Sequence, residues 1–101
     1  MLLFRELRLI AIDFADDPGV QAGATVDEIV AAPIFLEKRG EAEITGVIQD
    51  TTPAPPVISG TQVRCWVDTR TGVDPARYIA RGFVLLSNGE VAQADAPIVV
   101  E

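Results

Sequence analysis

The strongest structural signal in the chain lies in residues 78–89, which read Tyr-Ile-Ala-Arg-Gly-Phe-Val-Leu-Leu-Ser-Asn-Gly. Its aromatic and β-branched residues favour a strand. Both faces of that strand are mostly apolar, which is typical of a strand in the middle of a sheet. Asn88 and Gly89 tolerate positive φ at low cost and predict a tight hairpin turn. The segment therefore predicts a central strand followed by a hairpin.

The flanking segments continue the β pattern. Residues 91–94 begin the return strand, Pro97 marks a bend, and residues 98–100 form a last short strand. Upstream, Val63, Cys65 and Val67 alternate with polar residues and Trp66, which predicts a half-buried strand with Cys65 on its apolar side. Residues 68–72 carry a turn signal between these two strands.

The first half of the chain predicts shorter and less regular strands. In residues 4–14, the alternation of Leu7, Leu9 and Ala11 with charged residues favours a strand, and residues 15–19 form a turn. Residues 24–36 are expected to form a strand, and the pattern leaves open whether one helical turn precedes it. Residues 44–48 are expected to be a short strand interrupted by Gly46. Three prolines between residues 51 and 56 predict an extended loop, because they lack ladder donors.

Turns every ten or so residues, without a long helical period, indicate an all-β sandwich of about seven short strands. Residues 1–101 are expected to form one domain, in which residues 1–14 are either the first strand or an assembly arm. Hydrophobic residues make up 49% of the chain and charged residues 23%, an ordinary globular mixture.

Charge and composition exclude several classes of function. The 8 Lys and Arg residues against 15 Asp and Glu residues give a net charge of −7, which disfavours nucleic acid and membrane surfaces as partners. The chain has no His, the commonest general base and metal ligand. Its glycines form no phosphate-binding loop or dinucleotide fingerprint. We therefore expect no cofactor.

The residues that could carry chemistry have simpler interpretations. Asp13, Asp16 and Asp17 lack the spacing of an EF-hand calcium loop, so a solvated loop is favoured. The same holds for Asp68 and Asp74. Without a neighbouring His, and on the inward side of a strand, Cys65 is expected to be an inert core thiol. The sequence predicts neither a metal site nor an enzyme.

Six apolar residues are candidates for protein–protein contacts: Leu2, Leu3, Phe4, Trp66, Val99 and Val100. Trp66 is either an interface anchor or part of a core buried on both faces of its strand. Val99 and Val100 lie in a terminal strand that closes its own sheet or pairs with a neighbouring subunit. Leu2, Leu3 and Phe4 form an apolar patch before the first charges, which raises the assembly-arm hypothesis.

The order of several short segments resembles a known family. These segments are Ala24-Thr25-Val26 after a glycine turn, Ile58-Ser59-Gly60-Thr61, residues 63–68, residues 78–89 and the apolar terminal strand. The order is similar to that of the small immunoglobulin-like neck or fibre–tail adaptor proteins of tailed bacteriophages, over most of residues 20–100. The chain departs from that family at residues 13–16, where an aromatic-rich start is usual, and in its loop from Pro53 to Pro56.

The resemblance implies an immunoglobulin-like β-sandwich that serves as a structural virion protein. It would be made in the host cytoplasm and assembled into the virion, where it joins connector, tail or fibre subunits in a ring or another homo-oligomer. One alternative is a capsid decoration (cement) protein. Another is a carbohydrate-binding or adhesion module, which would need exposed aromatic side chains. An enzyme ranks last.

Overall fold

The computed structural model describes residues 2–3, 7–39, 42–48, 50–70 and 72–101. These residues form strands β1 (Leu2–Leu3), β2 (Leu7–Asp13), β3 (Val26–Glu37), β4 (Val57–Ser59), β5 (Gln62–Asp68), β6 (Ala76–Leu86) and β7 (Val91–Val100). Two one-turn helices, α1 (Pro18–Gln21) and α2 (Thr45–Ile48), lie between strands. The predicted all-β fold is confirmed.

The strands form two sheets, of order β1-β7-β6-β3 and β2-β5-β4. All neighbouring strands are antiparallel except β1 and β7, which are parallel. If the strands are lettered A to G in chain order, the two sheets become A-G-F-C and B-E-D. This is the strand order of an immunoglobulin-like sandwich in which strand A has moved beside strand G.

Strand β6 occupies the centre of the larger sheet, between β3 and β7, as its apolar sequence predicts. Its inward side chains Tyr78, Ala80, Val84 and Leu86 are buried. The predicted hairpin turn after β6 is confirmed. Gly89 has a φ of 88°, and its N–H donates to the Leu86 carbonyl at 3.0 Å. Positive φ is inexpensive only for glycine and a few polar residues.

A tyrosine anchors the connection that enters β6. The hydroxyl of buried Tyr78 donates a hydrogen bond of 2.6 Å to the carbonyl of Asp74, four residues upstream. A tyrosine near the start of the sixth strand that bonds back to the preceding backbone is a recurring feature of immunoglobulin-like domains. This contact fixes the turn between β5 and β6 and gives a buried hydroxyl its partner.

The structure determines the inward face of β2, which the sequence pattern near Ile10 and Ile12 left open. Ile10, Ile12 and Phe14 are 3%, 0% and 1% exposed, whereas Leu9 is 42% exposed. The predicted strand is confirmed. Both of its faces carry apolar residues, so alternation alone does not choose the inward one. The larger side chains Ile12 and Phe14 fill the space opposite β6.

Two short segments are helical where turn or strand was expected. Asp17 caps α1 by accepting the Gly19 N–H at 2.8 Å, and Pro18 suits the first helical position because it has no N–H to leave unpaired. The expected strand at residues 44–48 was wrong. Ile44 donates to the Phe35 carbonyl, and the chain then turns into α2, which buries Ile48 in the core.

Strand β7 runs from Val91 to Val100 without the bend expected at Pro97. Pro97 sits opposite Ile79 of β6, while the described part of β1 meets β7 only at Ile98 and Val99. Proline has no backbone N–H, so it is tolerated in a strand at a position where no neighbouring strand accepts a hydrogen bond from that N–H. The expected extended loop over residues 51–56 and the β5 alternation are both confirmed.

Substitution of Ile10 by alanine tests the face of β2. We expect Ile10→Ala to lower the free energy of unfolding by about 2–5 kcal/mol, because it leaves a cavity in the core. The matched variant Leu9→Ala is expected to cost less than about 1 kcal/mol. Urea denaturation of both variants measures the difference, and equal losses would contradict the inward face described here.

Removal of the Tyr78 hydroxyl tests its role at the corner. Tyr78→Phe keeps the ring but leaves the Asp74 carbonyl without this donor, so we expect a loss of about 1–2 kcal/mol in the free energy of unfolding. Urea denaturation with an unchanged near-ultraviolet circular dichroism spectrum is the measurement. Wild-type stability in this variant would show that the bond contributes nothing.

Candidate functional site

Asp13 at the end of β2 and Asp17 before α1 make turn and cap contacts. One carboxylate oxygen of Asp13 accepts the Ala15 N–H at 2.8 Å and the Thr61 hydroxyl at 2.9 Å. The Ala15 N–H bond, followed by the Thr61 hydroxyl bond, lowers the pKa of Asp13. Asp17 is the cap of α1. The loop interpretation thus has a structural basis, since these acids hold the loop in shape.

At the β5–β6 connection, the carboxylate of Asp68 and the backbone carbonyl of Asp74 have local partners. Arg70 donates from Nε and Nη2 to the two carboxylate oxygens of Asp68, at 3.0 and 2.9 Å, and these side-chain bonds lower the pKa of Asp68. Asp74 contributes its carbonyl to Tyr78. No group of three or more metal-ligating side chains occurs within the described residues.

Cys65 lies in the core at 1% exposure. Burial raises the pKa of its thiol to about 11, because the thiolate would lose its hydration. The side chain therefore stays protonated and shielded at neutral pH. This position agrees with the inward side predicted from the β5 alternation.

The predicted contact residues lie in different parts of the fold. Leu2 and Leu3 pair through their backbone with Ile98 and Val99, and Phe4 lies outside the described residues. Val100 is buried in the core at 2% exposure, whereas Val99 is half-buried on the opposite side of β7. Trp66 is half-buried opposite Leu9, on the outer side of the smaller sheet. Among the described residues, the fold brings Leu2 and Leu3 beside Val99 and places Trp66 on the other sheet.

A surface that the sequence analysis did not identify lies on the outer side of the larger sheet. We call it the outer apolar face. It is formed by half-buried or exposed side chains that point away from the core: Ile34 of β3, Ile79, Phe83 and Leu85 of β6, and Val91 and Val99 of β7. The sequence pattern that corresponds to this surface is the presence of apolar residues on both faces of β6, which is also typical of a strand in the middle of a sheet.

One ion pair lies in the middle of the outer apolar face. Arg81 and Asp95 are cross-strand neighbours, and the guanidinium donates from Nε and Nη2 to the two carboxylate oxygens at 2.9 and 3.2 Å. The two charges cancel locally, although the chain carries a net charge of −7. The outer apolar face is therefore much less charged than the domain as a whole.

An open cleft of about 470 Å³ lies at the end of the larger sheet where β6 begins. We call it the basic cleft. Among the described residues, its lining contains three cations, Lys38, Arg39 and Arg77, and one acid, Glu37, together with Pro75 and Ala76. The Lys38 N–H donates to the Arg77 carbonyl at 2.9 Å and holds the two segments together. Sequence spacing gave no sign of this cluster, because Arg77 is distant in the chain.

Comparison with protein-family models, with curated proteins and with solved structures finds no match to this chain. None of the helices in the described ranges is long and apolar enough to span a membrane.

The reactivity of Cys65 tests its burial. At pH 8 we expect a thiol reagent such as 5,5′-dithiobis(2-nitrobenzoate) to react with native protein at least about a hundredfold more slowly than with urea-unfolded protein, because the thiol reacts only during opening of the core. Absorbance kinetics give both rates. Equal rates would place Cys65 at the surface.

Proposed function

We propose that this chain is a structural subunit of a tailed bacteriophage virion, an adaptor at the neck or tail that joins connector, tail or fibre subunits through protein–protein contacts. The outer apolar face is the observation that carries the adaptor role. The order of short motifs similar to the immunoglobulin-like neck and tail adaptors supports the choice of a virion.

The size of the outer apolar face suits a docking surface. Three strands spaced by about 4.8 Å and about nine residues long span an area of about 14 Å by 30 Å. Contiguous apolar patches of a few hundred Å² mark interaction sites on soluble proteins. The Arg81–Asp95 pair adds polar contacts at its centre, where charge complementarity selects a partner and fixes its orientation.

A virion subunit different from this chain is the occupant that these features favour. Two copies packed face to face would bring together two domains of net charge −7 through faces that have no patch of opposite charge, and the repulsion would oppose the contact. Since Arg81 is already paired with Asp95 of its own chain, the face offers no unbalanced charge. A flat, apolar and nearly neutral surface on a neighbouring subunit meets these conditions.

The positions of the aromatic side chains disfavour carbohydrate binding. Phe14, Phe35 and Tyr78 are buried, and Trp66 and Phe83 are half-buried. None of the aromatic residues with described side chains is exposed, whereas a sugar-binding platform needs an accessible ring. These placements support a protein partner.

Mass spectrometry of purified phage particles from cells that make this chain tests the proposal. A closed ring at the neck or tail predicts a small copy number, roughly 6 or 12 per particle. Hundreds of copies would instead indicate a capsid decoration protein. Absence from every particle would overturn the virion assignment.

Charged substitutions on the outer apolar face test the docking surface. We expect Phe83→Asp and Val91→Asp to reduce incorporation into particles by about tenfold or more, because the partner would bury an unpaired carboxylate. Val91 is 62% exposed, and Val57→Asp is the matched control, since Val57 is 49% exposed on the smaller sheet. Particle mass spectrometry gives incorporation, and urea denaturation verifies folding.

Docking through this face would be contradicted if all three folded variants, Val91→Asp, Phe83→Asp and Val57→Asp, entered particles at the wild-type level. Equal loss in all three folded variants would contradict it as well, since the effect would then follow added charge rather than position.

A further inference from the structure

Six of the 15 acids in the chain lie at the end where β6 finishes, without a Lys or Arg in the same segments. Residues 9–37 and 82–101 contain no Lys or Arg. Three segments supply these acids: the end of β2 with the turn after it, the start of β3, and the hairpin turn after β6. The acids are Asp13, Asp16, Asp17, Asp27, Glu28 and Glu90. We call this group the acidic end.

Packing and hydrogen bonds bring the segments of the acidic end together. The Thr25 N–H donates to the Ser87 hydroxyl and the Ser87 N–H donates to the Thr25 carbonyl, each at 2.9 Å. Helix α1 lies against the same hairpin, since a Cβ added to Gly19 would come within 2.8 Å of Leu86 Cδ1 and 3.3 Å of Asn88 Nδ2. Asp16 and Glu90 are exposed there.

The basic cleft lies at the opposite end of the molecule. Its three cations are exposed and are a large share of the 8 Lys and Arg residues in the chain. Within the described ranges, Lys38, Arg39 and Arg77 form no ion pair. The Asp68–Arg70 and Arg81–Asp95 pairs show that other cations of the chain are neutralised locally. The described lining of the cleft therefore carries more positive than negative charge, and exposed Asp74 lies next to it in the chain.

The two ends are far enough apart to act independently. Strand β6 runs from Ala76 beside the basic cleft to Leu86 beside the acidic end, a distance of about 33 Å. The longest extent of the molecule is 40 Å. The Debye length at 0.1 M salt is about 10 Å. When one copy approaches the basic cleft of another, salt therefore screens the repulsion between the acidic ends of the two copies.

We propose that copies of this chain associate head to tail, with the acidic end of one copy seated in the basic cleft of the next. Such a contact is heterologous, so repetition closes a ring or continues as a filament. It would supply the repeating contact of a collar or tail ring, but it depends only on the distribution of charge. It uses residues outside the outer apolar face, so either proposal can fail while the other stands.

The salt dependence of this association is specific. At very low salt, long-range repulsion between acidic molecules opposes association, and at about 1 M salt the contact itself is screened, because the Debye length falls to about 3 Å. Association is therefore strongest at an intermediate concentration of about 0.1 M. An apolar contact would instead persist or strengthen as salt increases.

Complementary charge-reversal variants provide the test. Lys38→Glu with Arg39→Glu removes the basic cleft and keeps the acidic end, whereas Asp16→Lys with Glu90→Lys does the opposite. Arg64→Glu with Arg70→Glu changes the net charge by the same amount as the cleft variant and leaves both surfaces intact. Sedimentation velocity of the full-length proteins at about 0.1 M salt, up to millimolar concentration, measures association, and circular dichroism verifies folding.

We expect wild-type protein and the Arg64/Arg70 control to associate, and each of the other two variants alone to weaken association by about tenfold or more. Their equimolar mixture should associate again, because each variant supplies one unchanged surface and the two reversed surfaces carry opposite charges. A wild-type monomer at every concentration would overturn the proposal. So would folded variants that associate as wild type does, or a mixture that stays monomeric.

Discussion

The close approach of the two sheets at Gly82 is the constraint on which the rest of the fold depends. A Cβ added to Gly82 would lie 3.1 Å from the Phe14 ring and 3.3 Å from two Ile12 carbons, closer than side chains ordinarily pack. The missing side chain lets β2 lie directly over β6, so that Ile12 and Phe14 fill the centre of the sandwich. With the inward side of β6 committed to this contact, its remaining apolar residues form the outer apolar face.

The sequence predicts the second half of the fold well, because local and tertiary preferences agree there. Cys65 points inward as the β5 alternation indicates, and Gly89 takes the positive φ that the hairpin requires. Agreement fails where one local pattern fits two structures. Both faces of β2 are apolar, so only packing against the larger sheet places Ile10 inside. At residues 44–48, burial of Ile48 favours a helical turn over a strand.

The candidate sites were less predictable because each is assembled from distant segments. Arg77 joins Lys38 and Arg39 only through the antiparallel pairing of β3 with β6, and Glu90 joins Asp16 only through the packing of α1 on the hairpin. Composition gave the net charge but not its distribution along the molecule. The outer apolar face had a visible signal, since Phe83 and Leu85 alternate with inward residues, but the topology was needed to show that this side of β6 faces outward.

Nuclear magnetic resonance of the contact between Gly82 and Phe14 tests this account of the fold most directly. If the ring of Phe14 packs on Gly82, the Gly82 Hα protons give nuclear Overhauser effects to that ring, and their resonances are displaced by its ring current. The same spectrum should show Hα contacts between β6 and both β3 and β7. Absence of the Gly82–Phe14 effect in folded protein would contradict the sandwich and, with it, the outward direction of Phe83 and Leu85.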